Sequence, residues 1–164
     1  MSNKLLIIFE GSKSSSFGDT PVTDMIRTRF PWINHRIYTF KPNFWNVRKA
    51  RKILEANWWD EIVIIGKSFG AVKVKDLIQK TYFWCENKNI HIILIDAHSP
   101  LKFGRFKKTM KINTYLKIYN IYQRVIWPRG VKVLSRYVEN YEVYSNHDAI
   151  IYNKTTMRIL KEIF

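Results

Sequence analysis

Hydrophobic residues along the chain come in short continuous runs that polar segments separate. Leu5–Phe9, Ile62–Ile65 and His91–Asp96 are apolar almost throughout, and Arg36–Phe40 and Tyr115–Gln123 have the composition of further strands. Strands that are apolar along their whole length are typical of parallel sheets covered on both faces. The pattern therefore predicts buried central strands rather than half-exposed antiparallel ones.

Helical segments alternate with these runs. They are Asp24–Phe30, which Thr23 could cap, then Asn46–Ala56, Ala71–Phe83 and Thr155–Phe164. Val131–Tyr137 and Tyr141–Tyr144 are predicted to be short extended pieces. Alternation of strands and helices predicts an α/β fold. We expect a three-layer sandwich, with a mostly parallel central sheet of about six strands and helices on both faces.

Composition limits the class of protein. The chain has 164 residues, 46% of them hydrophobic, which is enough for one domain with its own core over residues 1–164. Its one cysteine, Cys85, excludes an internal disulfide framework and a cysteine-rich zinc site. We predict no metal and no organic cofactor.

The chain is strongly basic. Twenty-eight lysines and arginines against thirteen acidic residues give a formal net charge of +15. Such a charge favours anionic partners such as nucleic acid, a phospholipid surface or an acidic polymer, although a biased genome composition would also produce it. The basic cluster of the second helix is either a solvated face or an anion-binding patch; its members are Arg48, Lys49, Arg51 and Lys52.

No segment has the features of an export or membrane signal. The first residues contain one lysine and a brief apolar run that ends at Glu10, without the length or cleavage site of a signal peptide. No other run approaches the length of a membrane span. We therefore expect a cytoplasmic protein without a transmembrane segment, and the oligomeric state stays open.

The strand Ile62–Ile65 is followed by Gly66-Lys67-Ser68-Phe69-Gly70 and then by a helical segment. Strand, G-x-S-x-G and helix form the layout of a nucleophile elbow, in which a strained turn projects a serine hydroxyl. The two glycines leave room for the close approach of the backbone. A phosphate-binding P-loop is excluded, because Glu61 stands where that motif requires its first glycine.

A nucleophilic serine needs a base and a carboxylate that orients the base. Ser68, Asp96 and His147 occur in the chain order Ser, Asp, His, which is the order in α/β-hydrolases. Asp96 ends the strand after the elbow helix, and His147 lies in a loop before the last helix. Because functional groups of such sheets gather beyond the carboxyl ends of the strands, all three are predicted at one edge.

Other residues compete for these roles. His35 precedes a strand and His91 begins one, so both are expected at the opposite edge of the sheet. His98 and Asp148 are too close in sequence to Asp96 and His147, respectively, to face them. Asp96 and His98 could form half of a metal site, but no companion ligands stand out.

The sequence resembles a compact lipase- or esterase-like branch of the α/β-hydrolase superfamily. The matching stretches are Ile93–Asp96, Asn120–Gln123, Pro128–Gly130 and Asn146–Ile150. The resemblance implies that Ser68 is the nucleophile, Asp96 the acid and His147 the base. The sequence departs from the family pattern before the serine, where Lys67 stands in place of a frequent histidine. The simpler interpretation of this position is that the Lys67 side chain faces solvent.

The resemblance also implies an oxyanion hole. Phe69, after the serine, would give one backbone N–H group, and Gly11 or Ser12, in the loop after the first strand, would give the other. The predicted function is cleavage of a carboxylic ester, from a small-molecule or lipid substrate, by a serine hydrolase. The alternative is a catalytically silent protein of the same fold, whose basic surface binds nucleic acid or an anionic membrane.

Overall fold

Six parallel strands form one sheet in the computed structural model, in the order β2-β1-β3-β4-β5-β6. The structure describes residues 3–11, 22–56, 59–80, 89–97, 116–124, 129–135 and 138–164. The strands are β1 (Lys4–Phe9), β2 (Arg36–Phe40), β3 (Glu61–Lys67), β4 (Asn89–Ile95), β5 (Leu116–Tyr122) and β6 (Val138–Glu142). Every neighbouring pair runs parallel, so all six strands end at the same edge.

Among the described residues, four α-helices accompany the sheet. They are α1 (Val22–Arg29), α2 (Phe44–Ala56), α3 (Phe69–Lys80) and α4 (Lys154–Ile163), and a short 3₁₀ helix, Ala149–Tyr152, precedes the last. Asn153 caps α4, because its side chain accepts a hydrogen bond from the Thr155 N–H group at 2.9 Å. The predicted helices and five of the predicted strands are therefore present, although Tyr115 and the last three residues of the predicted helix Ala71–Phe83 lie outside the described residues.

Alternating residues of each strand face two separate hydrophobic cores. On one face, Leu5, Ile7 and Ile64 pack with the buried sides of α2 and α3. On the other face, Leu6, Ile8 and Val63 pack with α1, the 3₁₀ helix and α4. Burial on both faces explains why Leu5–Phe9 in β1 and Ile62–Ile65 in β3 are apolar throughout. The predicted three-layer α/β fold is confirmed.

The last strand differs from its prediction. Val131–Ser135 contains no strand, and β6 spans Val138–Glu142, across the gap between the two predicted pieces. Asn140, in the middle of β6, accepts a hydrogen bond from the side-chain amide of Asn120 at 2.8 Å. It also donates to Val133 O at 3.1 Å, so polar contacts hold this edge strand where the sequence has no apolar run.

Thr23 does not cap the first helix. The helix begins at Val22, and Thr23 lies in its first turn. The cap comes from Glu10, whose carboxylate accepts the N–H groups of Val22 and Thr23 and the hydroxyl of Thr23, at 2.7–2.9 Å. A carboxylate at a helix N-terminus also interacts favourably with the helix dipole. Glu10 is buried and directly follows β1, so it ties α1 to the end of that strand.

In the part of the chain that the structure describes, no helix is both long and apolar enough to cross a membrane.

Candidate active site

Ser68 lies at the turn between the end of β3 and the start of α3. Its φ of 56° is in the left-handed region, which residues other than glycine rarely adopt. Its N–H group donates to the Ile95 carbonyl at 2.9 Å, which fixes the turn against the end of the neighbouring strand. The backbone at Ser68 therefore has the strained strand-to-helix geometry that the G-x-S-x-G pattern predicts.

Two glycines allow this turn to pack closely. A Cβ atom added at Gly66 would come within 2.6 Å of the Val74 side chain and 2.7 Å of Ala71 Cα. A Cβ atom added at Gly70 would overlap the Phe9 carbonyl and approach the Glu10 carbonyl oxygen to 2.7 Å. The elbow glycines thus let α3 pack against β3 and against the end of β1.

The end of β1 lies beside the serine. A Cβ atom added at Gly11 would stand 3.6 Å from Ser68 Cβ, an ordinary van der Waals distance. Gly11 is therefore near enough for its backbone to line the space around the serine hydroxyl. Ser12, the other residue predicted for this part of the oxyanion hole, lies outside the described residues. A donor role for Gly11 stays a prediction.

Phe69 is the first residue of α3 and follows Ser68 directly. The first N–H groups of a helix have no partner within the helix, and they carry its partial positive charge. Negative charge developing at Ser68 would therefore meet the positive end of α3. The Phe69 ring is exposed, but its proposed contribution comes from the backbone, and that role stays a prediction.

Asp96 follows the end of β4 with a second unusual backbone, φ 48°. Its side chain is 0% exposed. Gln123 donates to both carboxylate oxygens, from its backbone N–H to Oδ1 and from its side-chain amide to Oδ2, at 3.4 Å in each case. Gly130 also contacts this carboxylate so closely that an added Cβ would overlap Asp96 Oδ1. The carboxylate is thus held from several sides.

His147 meets Asp96 across the site. His147 Nδ1 lies 2.6 Å from Asp96 Oδ2, just below the usual range of about 2.7–2.9 Å for a charge-assisted N–H···O hydrogen bond. The segment that carries His147 is shaped by Asn146, whose side-chain oxygen accepts the N–H groups of Asp148 and Ala149 at 3.1 and 2.6 Å. The ring remains 20% exposed, whereas its carboxylate partner is fully buried. This arrangement can orient an imidazole and stabilise its protonated form.

Lys67 does not face solvent, contrary to the interpretation drawn from the sequence. Its side chain is only 3% exposed, and its Nζ lies 3.9 Å from Asp148 Oδ1. Lys67 directly precedes Ser68, and Asp148 directly follows His147. The ion pair therefore links the elbow to the histidine segment. A lysine beside a serine gives no sequence signal for such burial, because its partner is far away in the chain.

The rejected histidines lie at the opposite edge of the sheet, as expected. His35 precedes β2, and its Nε2 is 3.7 Å from Glu61 Oε1 at the start of β3. His91 is near the start of β4. His98 falls outside the described residues. Among the residues that the structure describes, no group of three or more His, Cys, Asp or Glu side chains could hold a metal ion.

No individual role was predicted for Gln123 or Gly130, although both lie in stretches that carry the family resemblance. Gln123 occupies the end of the Asn-x-Tyr-Gln stretch, and its N–H and amide groups both contact Asp96. Gly130 is hydrogen-bonded to Gln123, its N–H donating to the Gln123 carbonyl at 2.8 Å. The glycine turn after β5 thus packs around the buried carboxylate.

Comparison with known proteins gives a structural relative. No family model matches the sequence, and no curated protein matches it. A solved structure from Pectobacterium atrosepticum superposes on this chain with a TM-score of 0.59 at 16% sequence identity. That protein is described as a YdeN-like hydrolase, a description that is itself an inference. The match covers 98% of this chain and 90% of that one. The chain therefore shares the fold of a hydrolase-fold protein over nearly its whole length.

Proposed function

We propose that this protein is a serine hydrolase that cleaves carboxylic esters through Ser68, Asp96 and His147. The observation that carries the proposal is the 2.6 Å contact between His147 Nδ1 and the fully buried Asp96 carboxylate. That carboxylate follows the strand next to the elbow, and the Ser68 N–H group is bonded to the last residue of the same strand. The residues proposed as acid, base and nucleophile therefore lie at one edge of the sheet.

In the first half of the reaction, the Ser68 hydroxyl oxygen bonds to the ester carbonyl carbon. His147 takes the hydroxyl proton through Nε2, because Nδ1 faces Asp96. The resulting oxyanion is stabilised by the N–H group of Phe69 and, from the end of β1, by that of Gly11. Collapse of this intermediate breaks the bond to the alcohol, which leaves with the proton from His147.

In the second half, water attacks the acyl group on Ser68. His147 accepts a proton from the water and returns it to the serine oxygen, which releases the carboxylic acid and restores the enzyme. Asp96 keeps the imidazole in one orientation and stabilises its charged form throughout. The chemistry as proposed uses only side chains and backbone groups of this chain.

The test is a Ser68→Ala variant assayed with short p-nitrophenyl esters and with a fluorophosphonate probe. We expect turnover to fall by at least about 10⁴-fold, because no other group supplies the nucleophile. The matched control is Ser135→Ala, a half-buried serine ahead of β6, which should keep full activity and labelling. Full activity in a folded Ser68→Ala protein would contradict the proposal.

A second candidate is a catalytically silent protein of this fold that binds an anionic polymer or membrane. It is favoured by the net charge of +15 and by the exposed basic side chains of α2. This candidate predicts no fluorophosphonate labelling, together with binding that weakens steeply as salt rises and is unchanged in Ser68→Ala. Labelling that depends on Ser68 would exclude it.

A further inference from the structure

Four exposed aromatic side chains are spread along the edge of the sheet that carries the candidate site, from the end of β2 to the end of β6. Phe44 and Trp45 begin α2 just after β2 ends, Phe69 follows Ser68, and Tyr144 follows the end of β6. Their exposed fractions are 46%, 67%, 46% and 86%, respectively. Large exposed apolar groups that share one edge of a molecule mark a surface for interaction.

Basic side chains accompany the aromatic pair Phe44 and Trp45, and Arg48 contacts both rings. In the segment from residue 41 to residue 56, five lysines and arginines accompany a single acidic residue, Glu55. Glu55 pairs with Arg51 one helical turn away. The other four basic side chains are all exposed, and we call them, together with the four aromatic residues, the aromatic-basic rim: Lys41, Arg48, Lys49, Lys52, Phe44, Trp45, Phe69 and Tyr144.

Two exposed acidic groups near this edge, Asp148 and Glu142, are paired with cations. Asp148 lies 3.9 Å from the Lys67 ammonium, and Glu142 lies 3.8 Å from the Arg124 guanidinium. Glu142 also accepts a hydrogen bond from Tyr122 at 3.0 Å. The exposed rim on α2 therefore keeps its positive charge, which an anionic surface would complement.

We propose that the aromatic-basic rim docks this protein on the surface of an anionic phospholipid bilayer. Tryptophan and tyrosine rings settle at the level of lipid headgroups, where one end is apolar and the other is wet. Lysine and arginine near the surface are attracted to anionic headgroups, each adding a similar increment. The rim offers both kinds of group, and the net charge of +15 adds long-range attraction.

A bilayer fits the rim better than nucleic acid does. Nucleic-acid binders use the faces of aromatic rings to stack bases. Here the Arg48 guanidinium already covers the Phe44 ring, 4.7 Å from its centroid, and lies 5.5 Å from that of Trp45. The apolar side of α2 is buried against the sheet, so only its N-terminal rings would enter the headgroup layer.

Docking by the aromatic-basic rim also indicates a class of substrate. This inference about the substrate rests on the proposed esterase function. The rim and Ser68 share one edge, so an enzyme held there presents its site to the bilayer. Phospholipids and other membrane lipids carry carboxylic esters next to the anionic headgroups that attract the rim. The proposed substrate is therefore a lipid ester held in an anionic interface.

The binding test uses Ser68→Ala, so that hydrolysis does not change the vesicles. Sedimentation should recover the protein with phosphatidylcholine vesicles containing about 30% phosphatidylglycerol, but not with phosphatidylcholine alone. Recovery should decline as salt rises from about 0.05 to about 0.5 M, because salt screens exposed charges. Equal binding to both kinds of vesicle, or to neither, would overturn the proposal.

Matched variants locate the surface. Arg48→Gln/Lys49→Gln should weaken partitioning by about tenfold or more, whereas Arg27→Gln/Arg29→Gln, exposed near the end of α1 at the opposite edge, should have little effect. Trp45→Ala should likewise weaken binding, unlike Trp32→Ala, a 63% exposed control that precedes β2. Equal losses within either pair would refute the assigned surface.

Two further measurements separate the possible failures. In the protein with Ser68, Arg48→Gln/Lys49→Gln should slow hydrolysis of an ester embedded in anionic vesicles and leave hydrolysis of a soluble p-nitrophenyl ester unchanged. An active enzyme that does not bind vesicles would contradict the proposed docking surface but not the proposed esterase function. Binding of a short single-stranded RNA through Arg48 and Lys49, without vesicle binding, would assign the rim to nucleic acid instead.

Discussion

The two edges of the sheet contain similar side chains, but the contacts between these side chains differ. At the amino edge, Lys4 Nζ pairs with Glu61 at 2.8 Å, and His35 stands 3.7 Å from the same carboxylate. At the carboxyl edge, His147 Nδ1 lies 2.6 Å from the Asp96 carboxylate. Each edge thus has a histidine near a carboxylate, but only the carboxyl edge brings the two within hydrogen-bond distance.

The backbone differs as well. Ser68 and Asp96, the residues with positive φ among the described non-glycine residues, both lie at the carboxyl edge. So do all four glycines of the described ranges: Gly11, Gly66, Gly70 and Gly130. Strain and close approach of this kind persist where the surrounding structure enforces them, and they are concentrated at functional sites. The comparison teaches that geometry, rather than residue type, distinguishes the candidate site.

The largest expected effect comes from exchanging one carboxylate at each edge. Asp96→Asn should lower kcat/KM for a p-nitrophenyl ester by about 10⁴-fold, because the amide no longer holds the imidazole in the form that accepts a proton. Glu61→Gln, at the amino edge, should change kcat/KM by less than about twofold. If both variants lost activity equally, the distinction between the edges would fail.

Glycines of the carboxyl edge should differ among themselves in stability. Gly70→Ala places a methyl group against the Phe9 and Glu10 carbonyls and should lower the free energy of unfolding by about 3 kcal/mol or prevent folding. Gly11→Ala meets Ser68 Cβ only at 3.6 Å, so it should change stability by less than about 1 kcal/mol. Urea unfolding of the two variants measures both values.

The ion pair of the carboxyl edge, in which the lysine is buried, should matter more for activity than the partly exposed pair of the amino edge. Lys67→Met removes the ammonium that links the elbow to the histidine segment, and we expect kcat/KM to fall about tenfold, with most of the change in kcat. Lys4→Met breaks the pair with Glu61, whose lysine is 31% exposed, and should leave kcat/KM unchanged. Similar kinetics of the two variants would contradict a positioning role for Lys67.

The smallest effect concerns the pH dependence of stability at the amino edge. Burial lowers the pKa of His91, while Glu61 raises it and Lys117 lowers it further. Burial likewise lowers the pKa of His35, against the opposing effect of Glu61. His91 Nδ1 also has no hydrogen-bond partner among the described residues.

The direction of the pH effect on stability depends on whether the folded or the unfolded state binds protons first. Above the ordinary histidine pKa of about 6.5, His91 is neutral in both the folded and unfolded states and adds no pH dependence. As pH falls below that value, the unfolded state binds protons first, so the free energy of unfolding falls, by at most about 1.4 kcal/mol per pH unit per histidine. His91→Gln should flatten this fall in urea unfolding between about pH 7 and pH 5. An unchanged slope would show that His91 does not contribute.

Central elements of the fold were predictable because their sequence signal is local. Continuous apolar runs indicate strands buried on both faces, and the G-x-S-x-G pattern marks the turn that follows β3. The chain order of Ser68, Asp96 and His147 also placed these residues at one edge. The assignment of catalytic roles to them stays a prediction.

Features that depend on distant partners were not predictable. Glu10 replaces Thr23 as the cap of α1 from the end of β1, and Lys67 is buried against Asp148, far along the chain. Asn140 holds β6 through contacts with β5 and with the segment before β6, without an apolar pattern. A single sequence contains these residues but no signal that pairs them.

The attachment of α1 to Glu10 has a consequence for how this fold can vary. Gly11 is packed beside Ser68, and Val22 is held by the Glu10 carboxylate, so both ends of the intervening stretch are anchored independently of its contents. Doubling the length of a loop adds only about 0.6 kcal/mol of closure entropy. The number of residues between Gly11 and Val22 can therefore change at a small cost in folding free energy while both anchors stay in place.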